Sequence, residues 1–491
     1  MAPTKQDMDI VLFPFMAQGH IIPFLALALH LERKTGNTIT MVNTPSNIKK
    51  LRASLPPQSS INLLEIPFQA SDHGLPPSTE NTDVVPYTLV IRLLEATTAL
   101  RPAFHLVIRN LIDSQPHRRP LCIIADIFLG WTASVAKEVG AFHVIFSGAG
   151  GYGLACYHSL WFHLPHRNRQ SDEFLLPDFP EAGHIHKTQL PTNIAEADGS
   201  DAWSVFQKKN LSEWGKSDGM LFNTVDEVDS GGLHYFTRKL GLPVWAIGPV
   251  ILSTGSGSRG KGGGVSPELC REWLDMKPRG SVLYVCFGSM NTMSESQMMQ
   301  LGMALEGSGR DFIWVVRPPT GHDINSEFRA QEWLPPGFLG RIQESRKGLI
   351  AIDWAPQLEI LSHKAVSAFL SHCGWNSALE ALSHGLPILG WPMAAEQFFN
   401  CKFLEQQVGV CVEVARGKSC EVRHQDIAAS INAVMADQGK GRHMRSQAHR
   451  LKDIIGNATR DELAFMGSSI KALRAFLSAA ANVEASVPTE S

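Results

Sequence analysis

The run FLSHCGWNSALEALSHGLPILGWP at residues 369–392, with His20 and Asp126 far upstream, concentrates the groups of this chain that could do chemistry. Within the run, AVSAFLS reads as a strand, HCGWN as a tight turn around Gly374, and SALEALSHG as a helix closed by Gly385. Such a junction aims backbone N–H groups and the positive end of a helix at one point. Asn376, Ser377 and His372 add side-chain donors there, and a diphosphate suits the spot. Helix capping accounts for a Ser or an Asn at such a start, and is the reading to prefer where no other polar residues lie nearby.

His20 follows the strand run DIVLFPF and opens a long helix, where a lone His is usually structural. Its context is the strand LCIIADIF, in which Asp126 stands among apolar positions. In a parallel sheet both strand ends open on the same C-terminal edge, where sites form. A buried Asp needs a partner, and His20 is a candidate. The pair makes sense for a hydroxyl nucleophile, which stays weak until a base removes its proton. A neutral imidazole does this near pH 7, while an Asp on its far nitrogen fixes the tautomer and stabilises the imidazolium.

The elements that must position these groups alternate in type. In the first half DIVLFPF, TITMVN, INLLEIPF, LCIIADIF, AFHVIFS, GMLFNTV and VWAIGPV read as strands. Helical stretches such as PFLALALHLERK and the long run at 84–112 separate them. The composition then turns to ILSTGSGSRGKGGGV at 251–265, a Gly/Ser-rich linker. After it SVLYVCFGS, DFIWVVR, GLIAIDW, AVSAFLSH, PILGWP and VGVCVEV repeat the pattern. This alternation predicts an α/β protein with two doubly wound parallel-sheet domains, which places a ligand cleft between them. The expected divisions are 1–250, the linker at 251–265, 266–460, and a C-terminal helical stretch with a polar tail at 461–491. Two motifs are decoys. GSGSRG at 255–260 fits G-x-G-x-x-G, but more glycines follow it where a phosphate-holding helix should begin. DMD at 7–9 has an Asp-x-Asp spacing, yet it precedes the first strand instead of following one.

Composition narrows the function. With 491 residues, 44% apolar and 19% charged, the chain is an ordinary globular protein too long for one core. A formal charge of −3 gives no reason to expect nucleic acid or an anionic membrane as partner. The N-terminus lacks a signal-peptide pattern, and IIPFLALALHL falls short of the roughly 18 residues that span a bilayer, so a cytoplasmic location is expected. On that reading the sequons at Asn210 and Asn457 are unused. The eight cysteines form no C-x-x-C pair, so neither a metal site nor a disulfide framework is expected.

Residues 354–397, WAPQLEILSHKAVSAFLSHCGWNSALEALSHGLPILGWPMAAEQ, closely resemble the signature box of plant family-1 UDP-glycosyltransferases. The WAPQ start, HCGWNS, the Glu three residues after Ser377, the WP pair and the EQ end match in order. The layout of the whole chain resembles that family's GT-B fold. The resemblance implies that Trp354 stacks on uracil, that the Ala355 backbone bonds its edge, and that Gln357 and Glu380 hold the ribose. It assigns the diphosphate to His372, Asn376, Ser377 and Ser289, and the sugar hydroxyls to Trp375, Glu396 and Gln397. Trp391, Pro392 and Cys373 read as packing, and His384 is given no role. The resemblance also makes His20 the general base supported by Asp126, in an inverting displacement without metal or cofactor in which UDP leaves. UDP-sugar is a co-substrate in this scheme, and a monomer is expected.

Phe15 and Met16 beside His20, with residues of the 73–87, 143–165 and 180–200 loops, are expected to wall the acceptor pocket. FSGAGG at 146–151 departs from the family's Thr/Ser-rich run, so Ser147 is only loosely aligned with a sugar contact. Gln397 favours glucose, since the family's galactose users tend to carry His there; UDP-galactose, UDP-xylose and UDP-rhamnose remain rivals. The expected acceptor is a small apolar alcohol or phenol, a flavonoid or other phenolic first and a terpenoid second. It could already carry a sugar. A dehydrogenase would need a working G-x-G-x-x-G after the first strand, where this chain has FPFMAQGH. A non-catalytic nucleotide-binding module would have no use for His20 and Asp126.

Overall fold

β-branched and aliphatic residues fill every run read as a strand, and each run becomes a strand of one of two parallel sheets. The computed structural model describes residues 8–115, 119–167, 171–251 and 264–482. The chain divides into two compact units, the first of Met1–Gly183, Glu196–Gly260 and Ala458–Ser491, the second of His184–Ala195 and Lys261–Asn457. Apart from residues 251, 264 and 265, the Gly/Ser-rich linker lies outside the described residues, as do its glycine decoy and the end of the polar tail.

The first unit holds a seven-stranded sheet, β1 (Asp9–Phe13), β2 (Thr38–Asn43), β3 (Asn62–Glu65), β4 (Leu121–Asp126), β5 (Phe142–Ser147), β6 (Gly219–Phe222) and β7 (Val244–Ala246). Their spatial order is β3-β2-β1-β4-β5-β6-β7, and every pair is parallel. Successive side chains alternate between faces, so Ile10, Leu12 and Ile124 join one core and Val11, Phe13 and Ile123 another. Burial on both faces is why these strands read as continuous apolar runs. The second unit repeats the plan with six strands, β8 (Val282–Cys286), β9 (Asp311–Val316), β10 (Gly348–Ile352), β11 (Val366–Ser371), β12 (Ile388–Gly390) and β13 (Cys411–Glu413). Its order is β10-β9-β8-β11-β12-β13.

The helices that matter below are α1 (Gln18–Thr35), α2 (Gly151–His163), α3 (Glu295–Ser308), α4 (Gln357–Ser362), α5 (Trp375–His384), α6 (Gln397–Gln406) and α7 (Ser468–Ala481). Two helical expectations are corrected. The run at 84–112 is not one helix but two α-helices, Val90–Ala96 and Arg101–Asp113, joined by a 3-10 turn ahead of Pro102. The DELAFM stretch is a small hairpin, Asp461 paired with Met466 and Glu462 with Phe465, and Gly467 starts α7. α7 packs in the first unit, where Phe476 meets Phe142 and Trp245. Residues His184–Ala195 group with the second unit, in which Arg416 donates to the Thr188 hydroxyl. Among the described residues no helix is long and apolar enough to cross a membrane.

Buried histidines make the fold acid-sensitive. His143 sits between the hydroxyls of Thr132 (2.9 Å) and Ser217 (3.0 Å), and burial pushes its pKa down to about 3. Burial, reinforced by the charge of Lys239, does the same to His158, also to about 3. An unfolded His takes up its proton near 6.5, whereas these cannot until about 3. Their stabilisation is therefore full above about pH 6.5 and is lost as pH falls, by about 1.4 kcal/mol per pH unit for each. Asp229, raised to about 7 by burial, acts in the opposite sense, favouring the fold at low pH. The two histidines outweigh it, so the unfolding midpoint should fall between pH 7 and pH 5. In His143→Gln that pH slope should be shallower, and an unchanged slope would remove His143 as a cause.

Candidate active site

β1 and β4 are neighbours, with Phe13 opposite Ala125, so the segments leaving their C-terminal ends lie side by side. His20 is in the first turn of α1, and its Nδ1 is 2.9 Å from Asp126 Oδ2 at the end of β4. Both carboxylate oxygens are engaged, because Oδ1 accepts the Phe128 N–H at 3.0 Å. Asp126 is 1% exposed while the His20 side chain is 26% exposed. A carboxylate only accepts, so Nδ1 carries a hydrogen, and in the neutral imidazole the lone pair falls on Nε2.

Phe15 and Phe128 wall the imidazole, their centroids 5.5 and 5.2 Å from its own and 5.3 Å from each other. Phe128 was missed in the sequence, although it closes the same LCIIADIF run that singled out Asp126. Met16 is buried in the core, and its carbonyl accepts the Thr82 N–H. Ser147 is also fully buried, with its hydroxyl closing a local turn by donating to Ala149 O and accepting from Ala149 N.

In the second unit, β11 runs into His372, Cys373 and Gly374, and α5 begins at Trp375. Gly374 is the N-cap and supplies no side chain, so Asn376 and Ser377 occupy the first turn instead of capping it. Cys373 takes the left-handed conformation, φ +60°, which turns the chain sharply out of the strand. His372 is buried between two glycines. A Cβ on Gly288 would lie 2.7 Å from its Nε2, and one on Gly374 would press on the same nitrogen, with Cε1 and Cδ2 3.1 Å away. The loop carrying Ser289 therefore lies directly against His372. Burial, helped by the charges of Arg317 and Lys418, pushes the imidazole down to about 4, so it is neutral at pH 7.

The predicted ribose residues come together as one network. Gln357 opens α4 and donates from Nε2 to Glu380 Oε2 (2.6 Å) and Ser377 Oγ (3.1 Å), while its Oε1 accepts from Tyr284 OH (3.3 Å). Trp354 and Ala355 precede it, after a left-handed Asp353. Gln397 opens α6, and its Oε1 accepts the Met393 and Ala394 N–H groups at 3.1 and 3.0 Å. That oxygen is committed to the backbone, which leaves Nε2 as the amide group with bonds to give elsewhere. Glu396 stands at the N-cap position of the same helix without a side-chain capping bond, and Asn400 Nδ2 ties its Oε1 (3.3 Å) to Cys373 O (3.0 Å). Trp375 is buried and packs 6.3 Å from Phe403. Trp391 is fully buried and donates to Gly417 O, and Pro392 is buried beside it.

Tyr284 and Asn400 gave no signal in the sequence, because their roles depend on strand order and helix facing. The same is true of three thiols. Cys373, Cys401 and Cys411, spread over 38 positions, have sulfurs within 4.8 Å of one another. They pack around Gly390, where a Cβ would lie 2.5, 2.9 and 3.0 Å from the sulfurs of Cys401, Cys411 and Cys373.

Comparison with known proteins gives a consistent result. The family model for UDP-glucoronosyl and UDP-glucosyl transferase matches residues 266–454. UDP-glycosyltransferase 92A1 of Arabidopsis thaliana is 52% identical, over 97% of this chain and 98% of its own length. Crocetin glucosyltransferase 3 of Crocus sativus is 42% identical over 87% and 91%. Among solved structures, Glycyrrhiza uralensis UGT73P12, complexed with glycyrrhetinic acid 3-O-monoglucuronide, superposes with a TM-score of 0.82 at 28% identity, covering 97% of this chain and 96% of that one.

Proposed function

This chain belongs to the plant UDP-glycosyltransferase family and has its GT-B fold, and on that premise we propose that it moves glucose from UDP-glucose to a hydroxyl of a small apolar acceptor. The hydrogen bond from His20 Nδ1 to Asp126 carries the reading. It leaves Nε2 to take the acceptor's proton as its oxygen attacks the anomeric carbon, opposite the departing UDP, so that the product is inverted. Asp126 stabilises the imidazolium formed in that step. The diphosphate takes the N–H groups at the start of α5 together with Asn376, Ser377, Ser289 and a neutral His372, which stabilises charge as a hydrogen-bond donor. Trp354 and Ala355 receive uracil, Gln357 and Glu380 the ribose, and Trp375, Glu396 and Gln397 the sugar. No metal or cofactor enters the scheme, which needs only a monomer in the cytosol.

The aromatic walls beside His20 favour a flat apolar acceptor, a flavonoid or other phenol before a terpenoid. The test is a screen of UDP-glucose, UDP-galactose, UDP-xylose and UDP-rhamnose against flavonoids, simple phenols, crocetin and glycyrrhetinic acid 3-O-monoglucuronide, with product mass as readout and EDTA present throughout. Crocetin and the glucuronide are the compounds that the relatives' names carry. Transfer of another sugar in preference to glucose would replace the donor assignment, and transfer only with added Mg²⁺ or Mn²⁺ would replace the metal-free scheme.

Gln397→His tests the sugar end separately. An imidazole cannot take both the Met393 and Ala394 N–H groups on one acceptor atom, so the turn ahead of α6 loosens. The amide donor proposed to pair with a sugar hydroxyl is lost from its place as well. Glucose transfer should fall about tenfold or more, in the range of 1–3 kcal/mol for an unpaired polar group. The ratio of kcat/KM for UDP-glucose and UDP-galactose should move toward galactose, and an unchanged ratio means Gln397 does not read the sugar.

A further inference from the structure

Arg317 is the first residue after β9, the strand that lies between β8 and β10 in the sheet. A side chain at that place has the loop following each neighbouring strand on either side. The guanidinium uses both: Nη1 donates to Gly288 O after β8, and Nη2 donates to Asp353 O after β10. Gly288 immediately precedes Ser289, and Asp353 immediately precedes Trp354. Both acceptor residues have positive φ, +79° and +64°, which turns the two loops sharply where the bonds form.

Building on the donor site described above, we propose that Arg317 is its positioning residue. It holds the uracil-binding and diphosphate-binding loops in register and sets an uncompensated positive charge behind the diphosphate.

The charge argument is independent of the bridge. Arg317 is 8% exposed, and among the described residues no carboxylate pairs with it. A buried charge without a counter-ion is costly unless something anionic answers it. Two carbonyl oxygens satisfy hydrogen-bonding groups but leave the net charge in place. Its proximity to His372, whose protonation it disfavours, puts that charge at the diphosphate end of the site. A guanidinium is suited to both tasks, because its planar fork reaches two acceptors at once. A Lys ammonium carries the same charge but has no such rigid fork to span both carbonyls.

Lys and Met replacements separate the bridge from the charge. Uridine and UDP are titrated calorimetrically into the full-length wild type, Arg317→Met and Arg317→Lys, with the unfolding midpoint of each recorded first. Uridine reports the loop position alone, and the UDP-to-uridine affinity ratio reports the charge. Arg317→Met should lose about tenfold in uridine affinity and about tenfold more for UDP, each tenfold being about 1.4 kcal/mol. Arg317→Lys should lose uridine affinity to the same degree yet keep the wild-type UDP-to-uridine ratio. With UDP-glucose, KM should rise in both variants while the acceptor KM stays put, a split that a general loss of stability would not give. Should Arg317→Met fail to fold, Arg317→Lys carries the comparison. Uridine affinity within twofold of wild type in either variant overturns the bridge, and an unchanged UDP-to-uridine ratio in Arg317→Met overturns the charge. A wild type that binds neither ligand would overturn the donor site itself, and this inference with it.

Discussion

His20→Ala is expected to lower turnover by about 10²–10⁴-fold, the usual contribution of a general base, while UDP affinity stays within about twofold of wild type. The separation follows from placement: His20 sits on α1 in the first unit, and the residues proposed for the nucleotide all lie in the second. A base that acts on the acceptor's proton makes no bond to the nucleotide, so its removal should leave nucleotide binding alone. Asp126→Asn should fall almost as far, for a reason visible only in the structure. Both carboxylate oxygens accept a hydrogen bond, one from His20 and one from the Phe128 N–H. An amide has one oxygen, and if that oxygen keeps Phe128, its NH₂ faces Nδ1. The imidazole must then accept at Nδ1 and hold its proton on Nε2, where the base should be. Single-turnover rates with a phenolic acceptor, beside UDP titrations, measure both variants. Retention of more than half the wild-type rate by His20→Ala would remove it from the mechanism.

Gly374→Ala is expected to cost about 10²-fold in kcat/KM for UDP-glucose, on the scale of misplacing a catalytic group by about 1 Å. The backbone at 374 has φ −60° and ψ 135°, so alanine meets no conformational strain there. The added methyl instead meets the His372 ring at Nε2, the same edge that Gly288 already crowds. The loss should appear in donor binding and turnover, with the acceptor KM unchanged. A double mutant gives the sharper reading. With His372→Ala in place the methyl has nothing to displace, so Gly374→Ala should add little further loss. Additive losses would mean that the methyl acts elsewhere in the turn, and a single variant within threefold of wild type would remove the constraint altogether.

The sequence made the strands legible because both faces of each sheet are covered, so every strand is a dense apolar run bounded by polar residues. The HCGWNS turn was legible for a related reason: polar residues at a strand–helix junction have few purely structural uses. His20 and Asp126 could be joined only through the assumption that their strands are neighbours, which β1 and β4 are. What stayed hidden depends on facts that pattern does not carry. Arg317 reads as the end of an ordinary strand, since its two acceptors are backbone carbonyls in loops 29 and 36 positions away. Gln397 was readable as a candidate for the sugar but not as a residue whose oxygen is held by its own loop. Ser147 was readable as polar and not as fully enclosed. The Asp461–Met466 hairpin was taken for helix because two short strands joined by a two-residue turn are too brief to show a period of two.

The phenyl rings that flank His20 bear on fidelity. A base able to take a proton from an alcohol can take one from water, and water is far more abundant than any acceptor. Its attack would yield free glucose and UDP, a discharge of the activated donor with nothing glycosylated. Phe15 and Phe128, whose rings lie against that imidazole, offer such a water no hydrogen-bonding company. On the proposed scheme a water drawn to that base would be poorly solvated beside the rings, whereas an aromatic acceptor brings its own apolar body to the same place. On the proposed scheme the walls would act as a filter on the nucleophile, and hydration would decide between transfer and hydrolysis before any bond is broken.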